Sequence, residues 1–116
     1  MSRDIHQRDW GHWEILAEKS PHVKVKELTI DPGGALSFQK HTQRNEHWFV
    51  LKGKFTLYLE DDISKSERMY SEYETCVIPK GTWHQGVNPF KEPCYILEVQ
   101  YGELCEESDI ERKTRW

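Results

Sequence analysis

The sequence predicts an all-β domain, a sandwich or a barrel, from two observations. Short runs rich in β-branched and aromatic residues recur along the chain, and clusters of Gly, Pro, Asp and Asn separate them. Doubling or closing the sheet protects the edges of such short strands. The 116 residues, 36% of them hydrophobic, suffice for one modest core. We therefore predict a single domain spanning residues 1–116.

Five runs have the period and the composition of strands. They are Val23–Ile30, Trp48–Gly53, Lys54–Glu60, Glu74–Gly81 and Cys94–Gly102. Residues 21–104 are accordingly assigned to the barrel, residues 1–20 to an N-terminal arm over its surface, and residues 105–116 to a C-terminal segment. In that segment, Ser108–Glu111 predicts a short capped turn of helix.

Charge and composition exclude several classes of protein. The formal net charge of −4 provides no basic field for nucleic acid or anionic lipid. No apolar run approaches the roughly 20 residues of a membrane span, and the amino end is too polar for a signal peptide, so a cytoplasmic location is expected. Cys76, Cys94 and Cys105 lack CxxC spacing, which predicts buried, reduced thiols.

The stretch QKHTQRNEHW, which begins at Gln39, concentrates side chains that bind metals. Strand alternation projects Gln39 and His41 to the same side, and a hairpin returns Glu46 beside His41. His84 follows a tight turn and can supply a fourth ligand from across the barrel. An amide oxygen, two imidazoles and a carboxylate suit zinc, manganese, iron or nickel. The alternative is a polar turn with ordinary surface or core histidines.

Two segments resemble the paired motifs of the cupin superfamily. Between Gly34 and Gly53 lie a ligand-x-His pair and a Glu, and the segment PKGTWHQGVN ending at Asn88 matches the second motif. Seven stretches between Trp10 and Arg112 are similar to the cupin domain of type II phosphomannose isomerases. They are DWGHWEIL, VKVKELTI, LSFQKH, RNEHWFVLKG, CVIPKGTWHQGVNP, ILEVQYG and SDIER. The resemblance implies a cupin-type double-stranded β-helix, a jelly-roll barrel.

The resemblance also implies a metal-dependent aldose–ketose isomerase of sugar phosphates, foremost mannose 6-phosphate to fructose 6-phosphate. Zinc is the favoured ion, and its implied ligands are Gln39, His41, Glu46 and His84. The sequence departs from the family at Gln39, where most cupins have histidine, and at Thr42 and Gln43, where the family has further histidines. These departures point to a different pocket or substrate. No Gly-rich phosphate loop is present, so guanylyltransferase activity is not expected.

A phosphate substrate needs cations in a chain of net negative charge, and a guanidinium binds it in bidentate fashion. Arg44, two residues before Glu46, is one candidate. The resemblance assigns the arginine of SDIER, Arg112, a role in phosphate binding or catalysis. The alternative for each is an ordinary solvated arginine.

Proton transfer between substrate carbons needs a group that titrates near neutrality. The candidates are Glu98, His47, Lys24 and Lys26, and Lys26 is also a candidate for substrate binding. Glu98 is favoured because a glutamate among apolar strand residues is either a paired charge or a group of raised pKa. His47 points away from Glu46 by strand alternation, which favours a packing role.

Two other functions compete with the isomerase. One is a non-catalytic cupin that binds a sugar or sugar phosphate, since a fold does not fix a function. The other is a metal-dependent oxygenase with iron in the same site. The amide of Gln39 argues against the oxygenase, because redox-active sites usually prefer imidazole. Exposed strand edges further predict a homodimer.

Overall fold

The computed structural model describes residues 5–106 and 108–113. All regular structure within these ranges is β, which confirms the predicted all-β class. The strands are β1 (Ile5–Arg8), β2 (Gly11–Lys19), β3 (Val23–Ile30), β4 (Phe38–Lys40), β5 (Arg44–Lys52), β6 (Phe55–Glu60), β7 (Lys65–Tyr70), β8 (Thr75–Ile78), β9 (Trp83–Val87), β10 (Cys94–Gly102) and β11 (Glu111–Lys113).

The strands form two antiparallel sheets that face each other. The six-stranded sheet has the order β1-β2-β3-β10-β5-β8, and the five-stranded sheet has the order β11-β4-β9-β6-β7. Trp48 of β5 contacts Phe55 of β6 with ring centroids 5.6 Å apart, so the inner faces of both sheets contribute to one core. This confirms the predicted jelly-roll barrel.

Strand alternation separates the core from the cavity. Along β10, the buried residues are Cys94, Ile96, Glu98 and Gln100, and the residues between them are partly exposed. Cys94 and Ile96 belong to the apolar core. Glu98 and Gln100, further along the same face, bring polar side chains into the interior. The barrel therefore has an apolar end and a polar end.

The predicted strands differ from the observed ones mainly at their bounds. Val23–Ile30 and Cys94–Gly102 match β3 and β10. Trp48–Gly53 is part of the longer β5, which begins at Arg44, and Glu74–Gly81 shortens to β8. The sequence analysis missed β7, because five of its six side chains are exposed and it shows no apolar alternation.

The predicted N-terminal arm is wrong for residues 5–19, which form β1 and β2 at the edge of the larger sheet. β2 pairs with β3 from Gly11, opposite Ile30, to Lys19, opposite Val23. Gly11 has a φ of +145°, and a Cβ there would lie 1.9 Å from the carbonyl oxygen of Thr29. Only glycine allows this close approach of the hairpin to β3.

The predicted helical turn at Ser108–Glu111 is also wrong. A turn precedes β11, and β11 pairs with β4 so that Arg112 lies opposite Gln39. Pairing with an existing sheet outweighs the local capping signal. Residues 1–4 of the predicted arm and residues 107 and 114–116 of the predicted C-terminal segment lie outside the described residues.

Two further expectations concern thiols and membranes. Cys76, Cys94 and Cys105 are free and buried, as predicted. Within residues 5–106 and 108–113 there is no helix with the length and hydropathy needed to cross a bilayer.

Candidate metal centre

Three of the four predicted metal ligands converge inside the barrel. His41, Glu46 and His84 are buried, and one ligand atom from each lies within 4.8 Å of the others. The Nε2 atom of His41 is 3.1 Å from Oε2 of Glu46, and Nε2 of His84 is 3.7 Å from Oε1 of the same carboxylate. The Glu46 carboxylate thus lies between the two imidazoles.

Elements of both sheets position these three side chains. Alternation along β5 directs Glu46 inward beside Trp48, whose Nε1–H donates to Oε1 of Glu46 over 3.0 Å. His84 lies in β9 of the opposite sheet, paired with Gln39 of β4. His41 lies one residue beyond the end of β4, not within the strand as the alternation argument assumed. The hairpin from β4 to β5 still returns Glu46 to His41, as predicted.

Backbone carbonyls fix the orientation of both imidazoles. Nδ1 of His41 lies 2.6 Å from the carbonyl oxygen of Asp109, and Nδ1 of His84 lies 3.2 Å from that of Thr82. A carbonyl only accepts hydrogen bonds, so each Nδ1 carries a proton, and each Nε2 faces the Glu46 carboxylate. Two imidazole lone pairs and a carboxylate form a donor set that fits a divalent cation.

Arg44 lies against this donor set and is only 3% exposed. Its Nε donates to Oε2 of Glu46 over 3.2 Å, its Nη2 lies 3.2 Å from Nε2 of His41, and its Nη1 donates to the carbonyl of Glu106. Arg44 was predicted to contact substrate, and in the structure its guanidinium contacts two of the predicted metal ligands, His41 and Glu46. Nη2 of Arg44 would have to move away from Nε2 of His41 if that atom held an ion.

Burial and local charges favour the protonation states of Glu46 and His84 that can bind a metal ion. Burial alone would raise the pKa of Glu46, but the His41 hydrogen bond and the charges of His84, His41 and Arg44 outweigh it and hold that pKa far below its usual range. Burial lowers the pKa of His84. The carboxylate is therefore ionised and the His84 imidazole neutral at neutral pH, the forms that bind metal.

Gln39, the fourth predicted ligand, lines the same cavity as Glu46 and His84. Its Nε2 donates to Oγ of Ser37 over 2.9 Å. That bond uses the NH₂ end of the amide, so its Oε1 is the end suited to a metal. Ligation by Gln39 remains a prediction.

A cavity of about 400 Å³ opens beside the cluster, between the two sheets. Cationic side chains outnumber carboxyl groups in its lining, although the whole chain carries a formal net charge of −4. The cations are Arg8, Lys26, Arg44 and Arg112, and the carboxyl groups are those of Asp9, Glu46 and Glu98. The cavity is thus electrostatically suited to an anion.

Glu98 lies in the cavity wall and is 5% exposed. Burial and the negative charge of Glu46 raise its pKa to about 8, against the opposing charge of Lys26. Nε2 of Gln100 donates to Oε1 of Glu98 over 2.7 Å and orients the carboxyl group. Glu98 can therefore hold or release a proton near neutral pH.

The other predicted residues divide into those inside and those outside the cavity. Lys26 and Arg112 both line it, and Nε of Arg112 donates to Oγ of Ser37 over 3.3 Å. His47 is exposed on the opposite side of β5 from Glu46 and does not line the cavity. The predicted catalytic role of His47 and the alternative packing role are therefore both wrong, although strand alternation gave its direction correctly.

Sequence reasoning missed several residues of the cavity wall, among them the polar side chains of Arg8 and Gln100. Gln100 shares the inward face of β10 with Glu98, so alternation alone was a sufficient signal. Arg8 lies in β1, which was predicted as an arm. A strand assignment for residues 5–8 would have been needed to bring Arg8 to the barrel.

Comparison of the sequence with models of known protein families finds a match over almost the whole chain. The sequence model described as "Mannose-6-phosphate isomerase C-terminal" matches residues 1–114. The chain is 35% identical over 112 residues to a mannose-1-phosphate guanylyltransferase of Escherichia coli K12, covering 97% of this chain and 22% of the relative. It is 35% identical over 105 residues to the alginate biosynthesis protein AlgA of Pseudomonas aeruginosa, covering 90% of this chain and 21% of the relative. The chain therefore spans about a fifth of these curated relatives.

Solved structures with the same fold include two of low sequence identity. The capsular polysaccharide assembling protein CapF of Staphylococcus aureus superposes with a TM-score of 0.81 at 19% identity, over 95% of this chain and 32% of that chain. Oxalate decarboxylase of Bacillus subtilis superposes with a TM-score of 0.84 at 14% identity, over 95% of this chain and 30% of that chain. At such identities the likeness concerns the fold alone, which is the predicted cupin barrel.

Proposed function

We propose that this chain, which belongs to the family of mannose-6-phosphate isomerase C-terminal domains, is a metal-dependent aldose–ketose isomerase acting on a sugar phosphate, with mannose 6-phosphate as the first candidate. Its curated relatives are much longer and carry other activities in their names. The proposal therefore concerns the chemistry of this domain and depends on its own residues.

One observation carries the proposal. Two imidazole Nε2 atoms and a carboxylate converge within 4.8 Å at one side of a cavity, and a second carboxyl group, that of Glu98, lies in the wall of the same cavity. A metal-ligand set beside a separate proton-transfer group is the arrangement that moving a proton between adjacent carbons requires.

In the proposed reaction, one set of residues binds the metal ion and another residue transfers the proton. His41, Glu46 and His84, with Gln39 as proposed fourth ligand, would hold the divalent ion, zinc foremost. When bound, this ion supplies Lewis-acid stabilisation of negative charge on the substrate oxygens.

Glu98 acts on the substrate carbons. In its carboxylate form it takes the proton from C2 of the aldose, which leaves an enediolate, and returns that proton to C1, while a proton moves from O2 to O1. Gln100 holds the Glu98 carboxyl through its amide NH₂. Trp10, Trp13 and Leu36 form apolar parts of the cavity wall.

A coupled assay for fructose 6-phosphate tests the proposal. The purified protein is stripped with a chelator, reloaded with zinc, manganese, iron or nickel in turn, and supplied with mannose 6-phosphate. We expect turnover that depends on the added metal. In the Glu98→Gln variant we expect kcat to fall by about 10²- to 10⁴-fold with metal content unchanged, because the amide cannot accept the C2 proton.

Two outcomes would reject the isomerase. Saturable binding of mannose 6-phosphate with no turnover for any of the four metals would establish the non-catalytic alternative. Metal-dependent oxygen uptake in place of isomerisation would establish the oxygenase.

A further inference from the structure

A second group of charged side chains lines the cavity away from the metal ligands. It consists of Arg8 from β1 and Lys26 from β3, arranged around the indole of Trp13, and it is called here the indole-cation pair. Nζ of Lys26 lies 3.7 Å from the Trp13 ring centroid, and Cζ of Arg8 lies 5.8 Å from it. The sequence analysis proposed Lys26 for substrate binding and did not consider Arg8.

Lys26 is held inside the barrel. It is 3% exposed, an unusual state for a lysine. The ring of His6 stacks on Trp13 at a centroid distance of 3.8 Å and an interplanar angle of 5°. His6 therefore covers one face of the indole, and the Lys26 ammonium at 3.7 Å must lie over the other face. Cation–π attraction fixes the ammonium within the cavity wall.

Arg8 lies at the end of β1, beside the turn into β2, and its exposed side chain lines the cavity. Arg8 pairs with Gly11, and the carbonyl of Trp10 between them accepts a hydrogen bond from the N–H of Asp31 over 2.8 Å. One N–H of the guanidinium, on Nη1, donates to the carbonyl of Gln7 over 2.8 Å. A guanidinium has five N–H groups, so this bond orients Arg8 and leaves most of its donors for a ligand.

Lys26 of the indole-cation pair is separated from the metal ligands by β10, on which Glu98 lies directly opposite Lys26. Glu46 lies opposite Gln100, and Gln100 lies opposite Lys24, so Lys26 is two strands and two residues away from Glu46. Standard strand spacings put the two Cα atoms roughly 12 Å apart. In a hexose 6-phosphate, the carbonyl end that isomerises and the phosphate ester lie at opposite ends of the carbon chain.

We propose that Arg8 and Lys26 bind the phosphate ester of the substrate at the end of the cavity remote from His41, Glu46 and His84. This inference deepens the proposed function and depends on it for the identity of the sugar. It makes the domain selective for sugars that carry phosphate far from the reacting carbons, over sugar 1-phosphates. It also separates Arg8 and Lys26 from Arg44, whose guanidinium contacts the metal ligands.

Binding measurements on the zinc-loaded protein test the inference. Calorimetry compares mannose 6-phosphate, mannose 1-phosphate, mannose and inorganic phosphate as ligands of the unchanged protein and of the Arg8→Gln variant. We expect affinity for mannose 6-phosphate and for inorganic phosphate to fall about 10- to 100-fold in the variant, because a charge-assisted hydrogen bond is lost. The affinity for mannose should not change.

Three further variants make the test specific. Arg68→Gln is the matched control, because Arg68 lies on β7, contacts Glu74 and Tyr70, and does not line the cavity; it should bind as the unchanged protein does. Arg8→Lys should recover part of the lost affinity. Lys26→Met, which keeps the apolar stem over Trp13, should weaken phosphate binding to a similar extent as Arg8→Gln.

The outcomes separate this inference from the proposed function. Phosphate affinity that survives Arg8→Gln but is lost in Arg112→Gln would overturn the inference, as would a protein that binds none of the phosphate ligands. Turnover of mannose 6-phosphate with a KM unaffected by Arg8→Gln would overturn the inference and leave the isomerase standing. Arg8-dependent binding without turnover would support the inference and reject the isomerase.

Discussion

The two ends of the cavity are built in different ways. At the metal end, His41 and Glu46 come from one hairpin, His84 comes from β9 of the opposite sheet, and both histidines contact the Glu46 carboxylate. At the other end, Arg8 and Lys26 come from strands that do not pair with each other, and they meet around Trp13 of the strand between them. The first end depends on one hairpin and the strand that faces it, and the second depends on the order of three strands within one sheet.

Removing a predicted metal ligand should have the largest effect of the changes considered. The effect should be a loss of zinc affinity and should not extend to the phosphate-binding end of the cavity. In His84→Ala we expect zinc affinity to fall by more than about 100-fold, since even the loss of an outer hydrogen bond to a ligand costs about 10- to 100-fold. Competition with a chromophoric chelator measures the affinity. The matched control is His47→Ala, whose side chain is exposed on the opposite face of β5 and whose zinc affinity should not change. Equal zinc binding by His84→Ala and the unchanged protein would contradict the site.

Displacing the β1–β2 hairpin should lower stability and weaken phosphate binding at Arg8 and Lys26, without a change in zinc affinity. Gly11→Ala places a Cβ against the carbonyl of Thr29 at a φ of +145°, and strain at such a position costs about 1–3 kcal/mol. We expect the free energy of unfolding to fall by about that amount or more and phosphate affinity to fall with it, while zinc affinity is kept. Urea denaturation and calorimetry measure these quantities.

The control for this variant is Gly33→Ala. Gly33 also has a positive φ, of +79°, but a Cβ there would contact nothing within 4 Å. It should lose stability through backbone strain alone and keep its phosphate affinity. Loss of zinc binding in Gly11→Ala would show that the two ends are not independent.

The smallest expected effect is a pH dependence of stability in the metal-free protein. Burial raises the pKa of Glu98 from 4.5 to about 8, so the folded protein binds this proton more tightly than the unfolded chain does. The contribution to stability is complete below pH 4.5 and is lost as the pH rises through about 8, by up to about 1.4 kcal/mol per pH unit. Glu46, with a lowered pKa, contributes in the opposite sense only at acidic pH.

The comparison with Glu98→Gln isolates this contribution. Urea denaturation between pH 5 and 8 should give a free energy of unfolding that declines less steeply in the variant, because glutamine does not titrate. Parallel curves for the two proteins would mean that Glu98 is ionised across this range in the folded state.

Strand period and the resemblance to the cupin motifs together predicted that His41, Glu46 and His84 converge, whereas the position of Arg8 could not be predicted, for a physical reason. Gln39, Glu46 and His84 lie in or beside short strands whose period of two determines which side chains share a face. Arg8 lies in a strand of four residues, IHQR, with no apolar alternation. Its position depends on the pairing of β1 with β2. No local sequence pattern within β1 indicates that pairing.

The carboxyl end of the described chain illustrates the same limit. Local capping preference predicted a helical turn at Ser108–Glu111, whereas the backbone there pairs with β4 and its turn supplies the Asp109 carbonyl to His41. Neither the pairing nor that hydrogen bond can be derived from local sequence, because the two residues lie 68 positions apart.

The link between Asp109 and His41 has a consequence for the order of events during synthesis. The carbonyl of Asp109 lies within hydrogen-bond distance of His41, and its carboxylate accepts hydrogen bonds from Thr42 and from the N–H of Gln43. Asp109 therefore stabilises the segment that contains His41. Chains emerge from the ribosome amino end first. A nascent chain that has released His41, Glu46 and His84 still lacks the group that orients His41. If the proposed site binds an ion, high-affinity loading would wait until Asp109 has left the exit tunnel.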